Sequence, residues 1–281
     1  MASITAQTLA AEIRRQRALS TSITSDQTAI SSGKKITTAS QDPLAWVQIS
    51  DIARQQSQQA AWASNVAYGQ SRAAKAESNL TELNNLFTRV QELMITASTS
   101  TLDDTSKQAV LSEIQNIRTV ASELVNEKDF QGTPVFDENV TTAVPVARGI
   151  NLDVVGTRQS VSEGIDVNGT SYSLDGILGA AIAALNSGTD TDRETALTAV
   201  RAGIDHITTQ TAAQGVRGDR LDTASERLTD VSLTLEERRG ALESTDLTET
   251  LAGLQSKLTT LEAAQAAFAR INRQTLFDLI S

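Results

Sequence analysis

Between Leu247 and Ile280 the chain repeats leucine at alternating steps of four and three, through Leu247, Leu251, Leu254, Leu258 and Leu261, and the beat returns at Phe268. No glycine or proline follows Gly253. This spacing draws one apolar seam along a long helix. At about 1.5 Å per residue such a helix runs about 50 Å, too long and too one-sided to be covered within a single domain. The seam therefore calls for partners.

The first thirty residues carry a weaker version of the same pattern. Leu9, Ile13, Ile23 and Ile30 fall on helical steps, with Gln16, Ser20 and Gln27 at intervening seam positions. A stripe this thin and polar gives a marginal helix in isolation. Two readings fit. The chain ends pair with each other and with neighbouring copies, or they form the hairpin of an ordinary helical bundle.

Composition narrows the class. The 281 residues include no cysteine, which excludes a disulfide framework and a thiolate metal site. Aromatic residues make up only 3%, which suits thin, extended helical layers better than a thick globule. The net charge of −10 is concentrated in the middle, where residues 97–200 hold six Lys and Arg against fifteen Asp and Glu. Such an acidic stretch disfavours nucleic acid and anionic membranes as partners. The most apolar window, residues 177–185, is too short to span a bilayer. Residues 1–20 lack the apolar core of a cleavable leader and carry Arg14, Arg15 and Arg17, so a soluble chain is expected, leaving the cell, if it does, by another route.

Along the chain, Ser32-Gly33-Lys34-Lys35 stops the first helix, with glycine at the terminator position and lysines near the carbonyl end. Asp42-Pro43 starts the next, the aspartate as cap and the proline in the first turn. Helical spacing continues to about Thr99, through Leu80, Leu83, Phe87, Val90 and Met94. Residues 101–105 read as a turn capped by Asp103 or Asp104, and Val110, Ile114, Ile117, Ala121 and Leu124 mark one face of the following helix. Residues 130–172 hold two of the three prolines, and Asn168-Gly169 is a two-residue hairpin signal. A small β-rich domain is expected there, the most exposed and least constrained part. Residues 174–185 predict a short helix, and Asp190 or Asp192 opens a long one that carries Leu221, Leu228, Leu235 and Leu242.

The expected fold is mainly α: a long antiparallel helical bundle or coiled coil formed by both chain ends, with a β-rich insertion in the middle. Its predicted segments are 1–43, a polymerisation arm; 44–128, a helical rod; 129–173, the β-rich domain; 174–243, the returning rod; and 244–281, the second polymerisation helix.

Chemistry is sparse. His206, the single histidine, stands mid-helix between Ile204 and Ile207, with no nucleophile at a fixed spacing to serve. No HExxH, Walker or GxGxxG pattern occurs. Asp103-Asp104 and the Asp190, Asp192 pair read as helix caps, since no further ligands follow at calcium-loop spacing. The expectation is a non-enzyme without catalytic, cofactor-binding or metal-binding residues.

Ser31-Ser32-Gly33-Lys34-Lys35-Ile36, followed by Ala39-Ser40-Gln41-Asp42-Pro43, resembles the amino-terminal signature of bacterial flagellins and hook–filament junction proteins, with Gln41 where an aspartate is common. Arg89-Val90-Gln91-Glu92-Leu93 and the helix with Glu113-Ile114 resemble the next part of that pattern, and the run from Ala213 to Leu221 resembles its carboxy-terminal counterpart. The ending, Leu261 to Phe268 and then Thr275 to Ile280, is similar to the closing pattern of the third hook-associated protein family. Asp129-Phe130-Gln131-Gly132 instead resembles the flagellin phrase at the entry to the variable region.

The resemblance implies a structural protein of the flagellum, exported unfolded through the type III channel with an uncleaved signal and located outside the cell. It implies self-association in a ring or helical polymer, with flagellin and a neighbouring hook-associated protein as partners and an export chaperone on the C-terminal helix. The residues expected at the subunit interface are Leu9, Ile13, Ile23, Ile30, Leu247, Leu251, Leu254, Leu258, Leu261 and Phe268. Ser32, Gly33, Lys34, Lys35, Asp42 and Pro43 form the loop expected to position one helix against the next subunit. A flagellin, or a surface adhesin built on a flagellin-like scaffold, is the alternative.

Overall fold

The computed structural model describes residues 2–99, 103–129 and 131–277. Among these the elements run α1 (Ala2–Ser32), α2 (Pro43–Thr99), α3 (Asp104–Asn126), β1 (Ala143–Ala147), β2 (Ile150–Asp153), α4 (Arg158–Ser162), β3 (Ile165–Val167), β4 (Thr170–Tyr172), α5 (Leu174–Ser187), α6 (Asp190–Glu243) and α7 (Leu247–Phe277). The chain divides into two compact units, Met1–Ser57 with Ser232–Ser281 and Gln58–Val231. Both cuts fall inside long helices, α2 and α6.

The helix ends follow local chemistry. Gly33 takes φ +69° and stops α1, a conformation that costs a glycine little. The Asp42 carboxylate accepts from the Ala45 amide at 3.0 Å, with Pro43 as the first residue of α2. Asp103 caps α3 by accepting from the Ser106 amide, while residues 100–102, in the expected turn, lie outside the described residues. At α6, Thr189 and Asp192 cap each other: the Asp192 carboxylate accepts from the Thr189 amide at 2.7 Å, and the Thr189 hydroxyl accepts from the Asp192 amide at 3.3 Å. Asp192 thus works from inside the first turn, as in a capping box.

In the 58–231 unit, α2 and α3 run antiparallel. Arg89 pairs with Glu113 at 2.8 Å toward one end. Toward the other, buried Asn79 donates to the Leu124 carbonyl at 3.0 Å and to Glu127 at 2.8 Å. Leu80, Leu83, Phe87, Val90 and Met94 of α2 meet Leu111, Ile114, Ile117, Ala121 and Val125 of α3 in one core. Leu111 and Val125 are the buried positions, and the expected Val110 and Leu124 lie one step around, at its margin. Helix α5 is clamped to α3 by Arg118, which donates twice to Asp175 at 2.6 Å. Gly203 of α6 lets the helix approach closely: a Cβ there would stand 2.8 Å from the Phe87 ring.

The β segments belong to this same core. Strands β1 and β2 pair antiparallel with a register shift between Pro145 and Ala147. Strands β3 and β4 pair across Asn168 and Gly169, both at positive φ, as a type I′ turn requires. Sequence patterning suggests an exposed, weakly constrained domain here, but Phe136, Val144, Val146, Leu152, Val154, Val155, Val161 and Ile165 are all buried with the helices. The physical reason is a set of long-range polar ties invisible to local pattern. Arg72 of α2 and Asp137 form a buried ion pair at 2.9 Å; Arg72 also donates to the Pro134 carbonyl at 2.9 Å, and the Asp137 carboxylate accepts from the Thr142 amide and hydroxyl. Gln214 of α6, also buried, donates to the Val154 carbonyl at 2.9 Å. His206 sits 3.0 Å from the Ser160 carbonyl and 3.1 Å from that of Val161, joining α6 to α4.

Removing one partner of a buried pair leaves the other charge uncompensated. Asp137→Ala should therefore destabilise the 58–231 unit by about 3–5 kcal/mol. Glu92→Gln, at the exposed Arg89 pair, should change stability by less than about 0.5 kcal/mol. Denaturant titration of the two variants against wild type checks the contrast.

Candidate assembly surface on the terminal helices

In the unit formed by both chain ends, α1 and α7 pack against each other. The pairing is antiparallel, because the end of α1 meets the start of α7: the Thr245 amide donates to the Gly33 carbonyl at 3.0 Å. Further along, Lys257 pairs with Asp26 at 2.7 Å.

Burial along each helix separates the apolar positions into two stripes. On α7, Leu254, Leu261 and Phe268 are half-buried, in line with Lys257 and Ala264. Leu247, Leu251 and Leu258 remain 48%, 50% and 39% exposed. On α1, Glu12, Gln16, Leu19, Ile23, Asp26 and Ile30 form the more buried row. Ile23, at 7% exposure, is its deepest member, whereas Ile13 is 37% exposed. Leu9 lies on α1 with its side chain outside the described residues.

The structure thus corrects the single seam read from the leucine beat. A heptad beat of four and three does not say which of two adjacent stripes faces which partner, and here one stripe meets the other chain end while the second faces outward. Leu19 and the Asp26–Lys257 pair were not singled out by sequence, because a charged pair inside a seam reads as a solvated face. Gln16 Nε2 is buried in this row without a hydrogen-bond partner among the described residues.

The loop between α1 and α2 is fixed from the far end of the chain. The Lys35 amide donates to the Glu243 carbonyl at 2.7 Å, and Lys34 pairs in bridge geometry with Ser244. The Glu243 carboxylate, itself buried, accepts from Lys34 Nζ at 2.7 Å and from Arg239 Nε at 2.8 Å. Burial by itself would raise the Glu243 pKa; the bonds from Lys34 and then Arg239 outweigh it and hold the carboxyl below the ordinary carboxylate range. Ile36 is buried with Ala45, Ile49 and the flanking Trp46 and Leu242. Gln41, at the position where the resembling motif carries an aspartate, accepts from the Thr37 amide at 2.6 Å and the Thr38 amide at 3.1 Å, so its side-chain carbonyl fills the role of a turn acceptor. Ser32 Oγ donates to the Thr28 carbonyl at 2.7 Å and accepts from the Lys34 amide at 3.3 Å. Of this lock, Ser32, Gly33, Lys34, Lys35, Asp42 and Pro43 are legible in sequence; Glu243 and Arg239 are not, since nothing local marks them as partners of a loop two hundred residues away.

Among the described residues no group of three His, Cys, Asp or Glu side chains could hold a metal ion, and no helix is long and apolar enough to cross a membrane.

Because the folded pKa of Glu243 is depressed, its stabilising contribution is present above the unfolded-state pKa and is lost as pH falls through the folded value. The loop lock should therefore weaken on acidification below about pH 4.3, and Glu243→Gln should lose less stability over that window than wild type. At neutral pH, Glu243→Ala should cost about 1–3 kcal/mol and speed tryptic cleavage after Lys34 and Lys35. Unchanged cleavage would show that the lock does not hold the loop.

Comparison with known proteins agrees with this architecture. The family of the bacterial flagellin N-terminal helical region matches residues 4–141. Flagellar hook-associated protein 3 of Escherichia coli K12 is 22% identical over 89% of this chain and 90% of its own length. Its counterpart from Salmonella typhimurium LT2 is 23% identical with the same coverage. The crystal structure of flagellar hook-associated protein 3 from Legionella pneumophila shares the fold, with a TM-score of 0.60 at 13% identity, covering 69% of this chain and 99% of that one. With the loop signature, the paired chain ends and the buried β segments in place, the chain carries the bacterial flagellin N-terminal helical region over residues 4–141 and is similar to flagellar hook-associated protein 3 over nine-tenths of its length.

Proposed function

We propose that the chain is a structural subunit of the bacterial flagellum, placed at the hook–filament junction and assembled through α1 and α7. The observation that carries this reading is the outward stripe of Leu247, Leu251 and Leu258, left exposed on a helix whose other stripe already faces α1. Burying the half of each leucine that is still exposed is worth about 0.7–1.5 kcal/mol per side chain, which adds up over three leucines and several subunits. The alignment over nine-tenths of proteins named flagellar hook-associated protein 3 supports the junction position.

In this reading the interface residues are Ile13, Leu247, Leu251 and Leu258 on the outward faces. Ile23, Ile30, Leu254, Leu261 and Phe268 organise the hairpin that presents them, with Leu9 on the same arm. The loop from Ser32 to Pro43 sets the direction in which the arm leaves. Self-association forms a ring or helical polymer, with flagellin on one side and a neighbouring hook-associated protein on the other. The chain reaches the cell exterior through the type III channel, accompanied by a chaperone on the C-terminal helix. A chain without cysteine suits that route, since no disulfide has to form after passage.

A flagellin would share the amino-terminal family match, so the two positions are separated by phenotype. Deleting the gene should leave hooks without filaments and release flagellin into the medium. Intact or merely altered filaments would instead identify a filament subunit. At the residue level, Leu251→Asp with Leu258→Asp should leave the chain folded and absent from flagella. Leu254→Asp should disturb the α1–α7 hairpin already in the free chain. Normal incorporation of the double variant would overturn the outward stripe as the assembly surface.

A further inference from the structure

In the 58–231 unit a groove of about 470 Å³ opens between α2, α6 and the β1–β2 hairpin. Its floor is apolar, made by the half-buried Trp62 with Val146, Leu152 and Leu228, and Arg220 and Arg227 stand on its wall. No acidic side chain lines it. Gln59 also reaches it, and the Gln59 Oε1 atom is buried with no donor to satisfy it among the described residues. The groove is thus an apolar socket with two positive charges and a vacant acceptor.

The matching shape is on the same molecule. Val140, in the loop that enters β1, is 78% exposed, and Glu138 and Asn139 beside it are exposed too. Strand β1 runs away from this loop toward the groove, so the apolar knob and the apolar socket flank opposite ends of one strand. At about 3.3 Å per residue, Val140 and Ala147 lie roughly 20 Å apart along the extended chain, which bars the loop from its own groove. A complementary pair on different patches of one surface makes a heterologous contact, which repeats from copy to copy and closes a ring or extends a helix.

We propose that the groove accepts the Glu138-Asn139-Val140-Thr141 loop of a second copy, with Val140 against Trp62, Glu138 paired with Arg220 or Arg227, and an N–H of the loop donating to Gln59 Oε1. This contact rests on the assembly reading above and adds to it a second, head-to-tail joint away from the terminal helices.

The cysteine-free chain permits a direct test. Cells whose only copy carries Val140→Cys and Ile150→Cys, the latter at the groove's rim, are used to prepare flagella, which are oxidised and run without reductant. Disulfide-linked ladders longer than dimers are expected, reversed by reductant, with neither single variant exceeding a dimer. Chain present in flagella but running as monomer or dimer, with both cysteines still reactive toward a maleimide, would overturn the head-to-tail joint and leave the assembly reading standing. Chain absent from flagella, with wild type absent as well, would overturn both. Crosslinks to a different protein would assign the groove another occupant and overturn the self-contact.

Discussion

Antiparallel pairing of α1 with α7 is the contact on which the proposed assembly surface depends. Each helix alone has a stripe too thin to be stable in water, α1 because glutamine and aspartate interrupt it, α7 because its leucines are divided between two faces. Pairing orients both at once. It covers Ile23 and draws in Leu254, Leu261 and Phe268, and in doing so it fixes Leu247, Leu251 and Leu258 on the outside. The Asp26–Lys257 ion pair adds register more than stability, since a single partly exposed pair contributes about 1 kcal/mol or less.

The pairing in turn relies on the one end of the hairpin where α1 stops and α7 starts. Gly33 and the 244–246 segment meet through backbone hydrogen bonds, and Glu243 collects Lys34 and Arg239 at one point. A loop with only glycine and lysines would leave the α1 direction loose; anchored to the last residue of α6, it has one. That directional control is what the proposed assembly requires, and it is achieved with polar contacts rather than a larger core.

Much of the fold is legible in the sequence because much of it is local. The Gly33 terminator, the Asp42-Pro43 start, the Asp103 cap and the Asn168-Gly169 turn each act within four residues, and each stands where the pattern places it. What escapes is long-range. The β segments look like a free module because Arg72–Asp137 and Gln214–Val154 join residues 65 and 60 positions apart, and no periodicity encodes such ties. The division of the α7 leucines into two stripes escapes for a different reason: the same heptad beat supports either face, and only the partner decides. Of the candidate interface, the residues are readable and their assignment to inside or outside is not.

The most direct test of the two-stripe account compares thiol labelling at one position from each stripe. Leu251→Cys and Leu261→Cys are labelled with a maleimide in the free chain and again in assembled flagella. The account predicts fast labelling of position 251 in the free chain and strong protection after assembly, with position 261 slow in both states. Position 251 labelling equally fast in the assembled state would contradict it, because the outward stripe would then be covered by nothing.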